Sequence, residues 1–186
     1  MTITSEECVM DALDIRRVLK RISYEITDKN GGADNLALVG LQTRGVYLAR
    51  RLADMIERIE KKTVPVGVLD VTMYRDDYRT KLKAPQVKVT SIPFQVEGIT
   101  IVLVDDVFYT GRTVRSALDA IMSFGRPGRV ELAVLVDRGH RELPLRADYV
   151  GKKIRTAKNE EISVKMTELD GEDKVTLVTI EVEGGN

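Results

Sequence analysis

Apolar residues are spaced along this chain in two ways, as short and largely continuous runs and as one-sided helical repeats. A run of about four to eight apolar residues predicts a strand buried on both faces, as in a parallel sheet. Such runs occur at 36–41, 64–71, 99–104 and 130–136. Apolar residues that recur every three to four positions predict amphipathic helices. These helices cover 46–61 and 113–124, and an earlier one is capped by Asp11 or Asp14 and stopped by Asn30-Gly31-Gly32. The alternation predicts an α/β fold with a parallel sheet and right-handed crossovers.

The pattern changes after residue 136. Apolar stretches follow Pro144 at 148–154, 162–166 and 175–182, the last two separated by Asp170-Gly171. Short stretches separated by turns predict a small β-rich appendage with a terminal hairpin. We expect a single domain over 1–186, with a core of about 10–137 and a hood of about 138–186 that includes part of the N-terminus. Such a hood would lie over the carboxyl ends of the strands and enclose a second substrate.

Composition narrows the class of protein. Lysine and arginine together equal aspartate and glutamate in number, so the net charge is zero. A nucleic-acid partner would therefore need a local basic patch. Cys8 is the single cysteine, which excludes an internal disulfide and fits a reducing compartment. No apolar run approaches membrane-spanning length, and the polar start is unlike a secretory signal, so we expect a cytoplasmic protein.

Residues 101–114 contain the most informative pattern, an apolar strand, the pair Asp105-Asp106, and then Thr110-Gly111-Arg112-Thr113 at the start of a helix. Open α/β sheets bind ligands where their parallel strands end. The helix N-terminus offers backbone N–H groups and two hydroxyls, which suit a phosphate. The carboxylates repel phosphate and suit vicinal ribose hydroxyls, bound directly or through a metal ion. The segment predicts a sugar-phosphate site.

A second strand–loop–helix junction lies at Thr43-Arg44-Gly45. Gly40 and Gly45 predict room for a ligand beside the backbone, and Arg44 offers a fork of donors for phosphate oxygens. Alone, this junction is equally typical of a tight turn between a strand and a helix.

Residues 72–95 form an excursion too long for an idle loop in a compact domain, so we expect it to be functional or partly β. Arg75 and Arg79 lie there among alternating charges, although a solvated loop would show the same pattern. Arg138 follows a strand end and could donate to a carbonyl oxygen of a planar base; a surface salt bridge is the alternative. His140 is the sole histidine, in a polar loop, and is not assigned a catalytic role.

The diacid and the Thr-Gly-Arg-Thr turn resemble the phosphoribosyl-diphosphate (PRPP) site of type I phosphoribosyltransferases. Over about 11–168 the chain resembles, more narrowly, the bifunctional pyrimidine operon attenuators that are also uracil phosphoribosyltransferases. Five segments carry this resemblance in order: Thr43-Arg44-Gly45, Tyr74-Arg75-Asp76-Asp77, Asp105-Asp106-Val107-Phe108-Tyr109-Thr110-Gly111-Arg112-Thr113, residues 136–144 and residues 146–152.

For the enzyme, the resemblance implies the type I fold, a mainly parallel sheet flanked by helices with a small hood, and conversion of uracil and PRPP to UMP and diphosphate. Mg²⁺ would be carried by PRPP, without a dedicated protein cage. Asp105 and Asp106 would hold the ribose hydroxyls, Thr110–Thr113 the 5′-phosphate, and Thr43 and Arg44 the diphosphate. Arg75, with Arg79, would touch the leaving diphosphate from a loop that closes over the site. The PRPP and nucleotide set is Thr43, Arg44, Gly45, Asp105, Asp106, Val107, Phe108, Tyr109, Thr110, Gly111, Arg112 and Thr113.

Uracil is the expected acceptor, read by Arg138 and covered by Ile162. Purine-using relatives carry an aspartate three residues after the second acid, where this chain has Tyr109. Tyrosine, with an ordinary pKa of about 10, is a poor base near neutral pH. A transferase for another base is the alternative.

The resemblance also implies binding of pyrimidine operon leader mRNA, promoted by UMP, and a homodimer or higher homo-oligomer. The expected RNA contacts are Arg17, Lys20, Arg21, Arg141, Arg146 and Lys152. Phosphate contacts by such residues make binding salt-dependent. The first helix departs from the family pattern at Lys20 and Tyr24, and the hood departs at Arg155. An RNA-binding regulator that keeps the nucleotide site only as a sensor is the other alternative.

Overall fold

The computed structural model describes residues 2–71 and 89–181. The described elements are β1 (Thr2–Met10), α1 (Ala12–Asn30), β2 (Leu36–Leu41), α2 (Arg44–Glu60), β3 (Val66–Leu69), β4 (Thr100–Phe108), α3 (Arg112–Met122), β5 (Arg129–Asp137), β6 (Tyr149–Lys153), β7 (Glu160–Lys165), α4 (Thr167–Asp170) and β8 (Lys174–Glu181).

A five-stranded sheet forms the centre of the fold, in the order β3-β2-β4-β5-β6. Every strand pair in it is parallel. One core cluster packs α1 and α2 on one face, through residues such as Leu19 and Leu52. The second packs α3 on the other face, through residues such as Ile121. Because both faces are covered, β2 is buried at all six positions, which explains its unbroken apolar run.

The predicted helix ends are confirmed for α1. The Asp11 side chain accepts a hydrogen bond from the Asp14 N–H, and the Asp14 side chain accepts one from the Asp11 N–H, forming a capping box. The helix stops at Gly31, whose φ of 66° lies in the left-handed region that glycine adopts without a steric penalty.

The central strand β4 is longer than the apolar run that predicted it. It continues past Val104 to Phe108, because Asp105, Val107 and Phe108 remain paired with β5. The carboxylate pair therefore lies within the last residues of the strand rather than after it. Pairing with β5 before and after Asp106 limits how far the two carboxylates can move.

Two strands were assigned wrongly or missed. Residues 148–154 were expected in the hood, but β6 extends the parallel sheet beside β5, with Tyr149 buried in the first core cluster. The hood is a separate antiparallel sheet in the order β1-β8-β7. Its β1 gave no sequence signal because its side chains are largely exposed; Ile3, for example, is 64% exposed. The predicted hairpin around Asp170-Gly171 is confirmed as β7–α4–β8.

No helix in the described part of the chain is long and apolar enough to cross a membrane. Cys8 is exposed on β1.

Candidate functional site

The carboxylate pair at the end of β4 is held by its own backbone. Asp105 is 8% exposed, and its Oδ1 accepts a hydrogen bond from the Asp106 N–H at 3.0 Å. Oδ1 of Asp106 accepts one from the Val107 N–H at 2.9 Å. Asp106 is half-buried, so its carboxylate is the more accessible of the two. Both groups are fixed at the carboxyl edge of the sheet, the edge at which such folds bind ligands.

The start of α3 has the properties of an anion site. Its N-cap is Gly111, with φ of 96°, which has no side chain to cap the helix, and the Arg112 N–H makes a 3.4 Å hydrogen bond to the Thr110 hydroxyl. The first turn contains no acidic residue. Backbone N–H groups of the first turn and the helix dipole together favour a phosphate at this position. Thr110 and Thr113 are half-buried beside it and Arg112 is exposed.

The two residues between the diacid and this turn differ in what they offer a ligand. Val107 is half-buried, whereas the Phe108 ring is 1% exposed and belongs to the second core cluster. The Phe108 side chain is therefore too deeply buried to contact a ligand.

The loop after β5 supports the Thr110–Thr113 turn through hydrogen bonds. The carbonyl of Thr110 accepts hydrogen bonds from the N–H groups of Glu142 at 3.0 Å and Leu143 at 3.3 Å. The Arg112 Nε donates to the Glu142 carboxylate at 2.7 Å. A Cβ at Gly111 would lie 3.4 Å from the Leu143 side chain. The turn is thus supported by a segment about thirty residues further along the chain.

Arg141 forms part of the same support. Its guanidinium lies 3.3 Å from the centre of the Phe108 ring and donates to the carbonyls of Phe108 and Tyr109 and, at 2.9 Å, of Gly139. It also pairs with the Asp137 carboxylate. Because these contacts are internal, Arg141 has few donors left for an external phosphate.

The Thr43-Arg44-Gly45 turn lies against the diacid. A Cβ at Gly45 would approach the Val104 carbonyl oxygen to 2.3 Å and the Asp105 Cα to 3.2 Å, and one at Gly40 would lie 2.4 Å from the Val46 Cα. The expectation that these glycines leave room for a ligand is wrong, because the chain's own backbone fills that space. They instead bring the turn into contact with the end of β4. The peptide between Gln42 and Thr43 is cis.

Arg44 contacts the hood. Its Nη2 lies 3.0 and 3.2 Å from the two carboxylate oxygens of Asp170 in α4. Its Nε is buried and has no hydrogen-bond partner among the residues that the structure describes. A hydrogen bond from the Met166 N–H, reinforced by Arg44, lowers the pKa of Asp170 below its ordinary range. The pair is therefore ionised at neutral pH.

The expected base-reading residues lie on connected elements. The Arg138 guanidinium sits 4.0 Å from the centre of the Tyr109 ring, which is 39% exposed. Its Nε donates to the Thr156 hydroxyl at 2.9 Å and its Nη2 to the Glu160 carbonyl at 2.5 Å. Glu160 begins β7, the strand that carries the half-buried Ile162. Tyr109, Arg138 and β7 are therefore connected by direct contacts and form one wall of the expected base site.

His140 is joined to the same wall. Its Nε2 lies 2.8 Å from the Thr156 carbonyl oxygen, and its ring meets the Tyr109 ring edge-on at 5.8 Å between centroids. Thr156 is 7% exposed and serves both Arg138 and His140. Sequence reasoning missed Thr156, since one threonine in a polar stretch gives no signal.

Three of the six basic residues expected at an RNA surface are bound to other parts of the chain: Arg141, described above, and Arg21 and Lys152. Arg21 pairs with Glu25 at 2.6 Å and donates to the carbonyls of Val150 and Gly151 at 2.9 and 2.8 Å. Lys152 donates to the Val9 carbonyl at 2.7 Å. Arg21 therefore fixes α1 beside β6.

The other three expected residues are exposed and make no ion pair or hydrogen bond with another described residue: Arg17 and Lys20 on α1 and Arg146 in the loop before β6. Arg16 on α1 is exposed in the same way. Charges without internal partners are available to phosphate groups.

Arg75 and Arg79 lie outside the described residues. Within 2–71 and 89–181, no group of three or more histidine, cysteine, aspartate or glutamate side chains is arranged to hold a metal ion.

The family model described as "Phosphoribosyl transferase domain" matches residues 9–182. "Bifunctional protein PyrR" of Pelotomaculum thermopropionicum is 58% identical over 170 residues, covering 91% of this chain and 94% of the relative. The protein of the same name from Thermus aquaticus is 58% identical over 169 residues, covering 91% and 93%. That of Enterococcus faecalis is 53% identical over 169 residues, covering 91% and 94%.

Solved structures agree on the fold. The hypoxanthine phosphoribosyltransferase of Trypanosoma cruzi superposes with a TM-score of 0.70 at 18% identity, covering 94% of this chain and 97% of the other. That of Staphylococcus aureus superposes with a TM-score of 0.68 at 21% identity, covering 95% and 93%. At these identities the likeness supports the fold and says nothing about the base that is used.

Proposed function

This chain belongs to the PyrR family of type I phosphoribosyltransferases, and we propose that it transfers the phosphoribosyl group of PRPP to uracil and also binds pyrimidine operon leader mRNA. One observation carries the enzymatic part. The accessible carboxylate of Asp106 and the N-terminus of α3, which has glycine as its N-cap, lie a few residues apart on one strand–helix connection, and Gly45 packs the Arg44 turn against the start of this connection. Groups suited to ribose hydroxyls, a 5′-phosphate and a diphosphate therefore meet at one edge of the sheet.

The chemistry assigns a task to each of these groups. Cleavage of the bond between ribose C1 and diphosphate passes through a state that resembles a ribosyl oxocarbenium ion. Asp105 and Asp106 would bind the ribose hydroxyls and stabilise the nearby positive charge. The N-terminus of α3 would hold the 5′-phosphate, so that C1 is placed between the departing diphosphate and the incoming uracil.

Arg44 would bind the diphosphate. Its buried Nε has no partner among the described residues, and an unpaired buried donor costs about 1–3 kcal/mol. A diphosphate oxygen would supply the missing acceptor once the side chain turns toward it. Arg75 would add a second positive charge from the closing loop.

Mg²⁺ fits this site as a companion of PRPP rather than as a resident ion. Asp105 and Asp106 provide two carboxylates, fewer than the oxygen ligands that Mg²⁺ requires, so substrate oxygens and water would complete its coordination. Bound with PRPP, Mg²⁺ neutralises charge on the diphosphate. The residues that would face it are Asp105 and Asp106.

Uracil is the proposed acceptor because of Tyr109. The phenol stands where purine-using relatives carry an aspartate, and its ring is stacked under Arg138. Uracil N1–H is itself weakly acidic and needs no strong protein base. Arg138 would donate to a uracil carbonyl, and Ile162 on the adjoining strand would cover the ring.

A base panel tests this function. Uracil, hypoxanthine, guanine, adenine and orotate are each incubated with Mg-PRPP, and nucleotide formation is followed by chromatography. We expect UMP from uracil, with the other bases at least 100-fold slower. Faster turnover of another base would show that this base, and not uracil, is the substrate. If no base were turned over, the site would act only as a nucleotide sensor.

The RNA-binding role rests on a separate observation. Arg16, Arg17 and Lys20 are exposed on α1 and have no partner within 2–71 and 89–181, and Arg21 holds this helix against β6 next to Lys152. In a chain of zero net charge, this local concentration of positive charge is suited to a nucleic-acid backbone. The protein would act as a homo-oligomer, presenting this surface once in each subunit.

A gel shift with pyrimidine leader RNA, with and without UMP, tests this role at two salt concentrations. We expect UMP to strengthen binding and higher salt to weaken it. Arg17→Gln should weaken binding at least five-fold, whereas Arg58→Gln, which removes an exposed arginine from α2, should leave it unchanged. Equal effects of the two variants, or no binding of the wild type, would contradict RNA recognition by α1.

A further inference from the structure

The Asp170 carboxylate in α4 is bound to the Arg44 guanidinium, the group that would bind diphosphate in the proposed function. Both of its carboxylate oxygens lie within 3.2 Å of Nη2 of Arg44, although the two residues are 126 positions apart in the chain. Both side chains are largely shielded, at 34% exposed for Arg44 and 24% for Asp170. A carboxylate therefore sits on the guanidinium that the proposed function assigns to diphosphate.

The position of Asp170 is fixed from both sides. One of its carboxylate oxygens also accepts a hydrogen bond from the Met166 N–H at 2.8 Å, which holds its side chain at the start of α4. On either side of it in the chain, Glu168 and Asp173 both pair with Arg51 of α2 at 2.7 Å. These bonds dock the α4 turn on α2 so that Asp170 faces the helix end that bears Arg44.

We propose that Asp170 competes with diphosphate for Arg44: it holds the arginine in the substrate-free protein and releases it when the diphosphate of PRPP binds. This inference rests on the proposed function, which places diphosphate at Arg44. Asp170 is thus a positioning residue that acts through Arg44 and does not touch the substrate.

The incomplete bonding of Arg44 favours this exchange. Asp170 engages a single guanidinium nitrogen, while the buried Nε has no acceptor among the described residues. Diphosphate oxygens can accept hydrogen bonds from more of the guanidinium N–H groups of Arg44 than the Asp170 carboxylate does. After the reaction, the carboxylate is available to displace the product, because two anions of similar geometry compete for one cation.

The competition predicts a gain in affinity when the carboxylate is lost. In Asp170→Asn the amide oxygen can still accept from the Met166 N–H, but the negative charge is gone. We expect Mg-diphosphate, measured by isothermal titration calorimetry, to bind about five-fold more tightly, the size of effect typical of a partly exposed ion pair. Glu172→Gln removes a carboxylate from the same hairpin that pairs with Lys165 rather than with Arg44 or Arg51, and it should leave the affinity unchanged.

Two further measurements separate competition from a structural effect. With uracil present, the KM for PRPP should fall about five-fold in Asp170→Asn without a rise in kcat. In an Arg44→Gln background, Asp170→Asn should no longer change diphosphate affinity, because the contested donor is absent. If Asp170→Asn does not fold, the same measurements are made on Asp170→Ser, which keeps an oxygen acceptor near the Met166 N–H.

Unchanged or weaker diphosphate binding in folded Asp170→Asn would overturn the inference while leaving the transferase function standing. Diphosphate binding to neither the wild type nor the variant would remove both. Binding by the variant alone would support the competition, since the wild-type carboxylate would then be blocking the site.

Discussion

Neighbouring residues of the same type have different surroundings at the end of β4. Asp105 is buried, whereas Asp106 is half-buried and its Oδ1 is bonded to the next backbone N–H. The strand pairing that continues to Phe108 holds both side chains in place. A carboxylate fixed in this way can meet a developing positive charge without reorganising, which is the source of electrostatic catalysis.

Replacing Asp106 should abolish turnover in a folded protein. Asp106→Asn keeps the size of the side chain and removes its charge, so we expect kcat/KM for uracil and PRPP to fall at least about 100-fold, with an unchanged circular dichroism spectrum. Asp119→Asn, an exposed change on α3, should retain wild-type activity. Undiminished activity in Asp106→Asn would refute its assigned role.

Gly45 should resist a substitution that helices ordinarily favour. Replacing a helical glycine by alanine usually stabilises a helix by about 1 kcal/mol. At Gly45, however, the new Cβ would meet the Val104 carbonyl oxygen at 2.3 Å. We expect Gly45→Ala to lower the free energy of unfolding by about 1–3 kcal/mol in urea denaturation. Asp54→Ala on the exposed side of α2 should change it by no more than about 0.5 kcal/mol; a stabilised Gly45→Ala would show that the backbone yields.

At the scale of elements, the hairpin β7–α4–β8 is joined to α2 by ion pairs in addition to the apolar packing of residues such as Met166 in the first core cluster. Arg51 pairs with Glu168 and Asp173, and Asp173 also accepts hydrogen bonds from the Thr167 N–H and hydroxyl. The Arg51 guanidinium, with these bonds, lowers the pKa of Asp173 from 3.8 to about 2. The docking of the hood therefore depends on an ionised carboxylate.

This dependence predicts an acid-sensitive contribution to stability. Because the pKa of Asp173 is lower in the folded state than in the unfolded state, its contribution is present above about pH 4 and is lost as the pH falls toward 2. The difference in free energy of unfolding between the wild type and Asp173→Asn should shrink over that interval, measured by urea denaturation at a series of pH values. Asp54→Asn controls for the loss of one negative charge on α2. A difference that stays constant with pH would contradict the ion-pair account.

A second polar cluster fastens α1 to β5 and β6 at the other end of the sheet. The Glu131 carboxylate accepts hydrogen bonds from the Tyr149 hydroxyl at 2.6 Å and from Asn30 at 3.0 Å, and Lys29 lies 3.1 Å away. Burial raises the pKa of Glu131, but these bonds outweigh burial and lower it overall. Burial and the neighbouring Glu131 raise the pKa of Tyr149. The glutamate is thus kept as a charged anchor inside the core.

At the scale of the whole molecule, the site joins three parts of the chain that have separate surroundings. The diacid belongs to the central sheet, the Arg44 turn to the start of α2, and Asp170 to the hood. PRPP would contact the diacid and the Arg44 turn, which lie together only in the folded state. Ligand binding should therefore raise the free energy of unfolding of the entire domain.

Mg-PRPP without uracil should raise the thermal unfolding midpoint. At a concentration about 100 times the Kd, binding adds about 2.7 kcal/mol, which corresponds to about 5–10 °C for a chain of this size. The same concentrations of MgCl₂ and ribose 5-phosphate, without the diphosphate, should give a smaller shift. Equal shifts from both would show that the Arg44 turn contributes no binding energy.

Much of the fold and of the donor site was predictable because both are encoded in continuous segments. In a parallel sheet each ligand-binding loop connects one strand to the next helix, so strand, carboxylates and phosphate turn follow one another from Ile101 to Val114. The caps of α1 likewise depend on residues three positions apart. By contrast, the sequence placed part of the N-terminus in the hood but did not show that it forms a strand. The exposed side chains of β1 leave the backbone bonds to β8 as its main tie to the fold.

The sequence by itself determined the parallel core, the family and the phosphoribosyl motif, because local spacing carries each of them. Only the tertiary structure decided which charges remain available. Arg21, Arg141 and Lys152 donate to backbone carbonyls, whereas Arg17 and Lys20 face solvent, yet all five are basic residues in polar stretches of the sequence. The contact between Arg44 and Asp170 was equally hidden, since an ion pair depends on distance in space and these residues lie 126 positions apart.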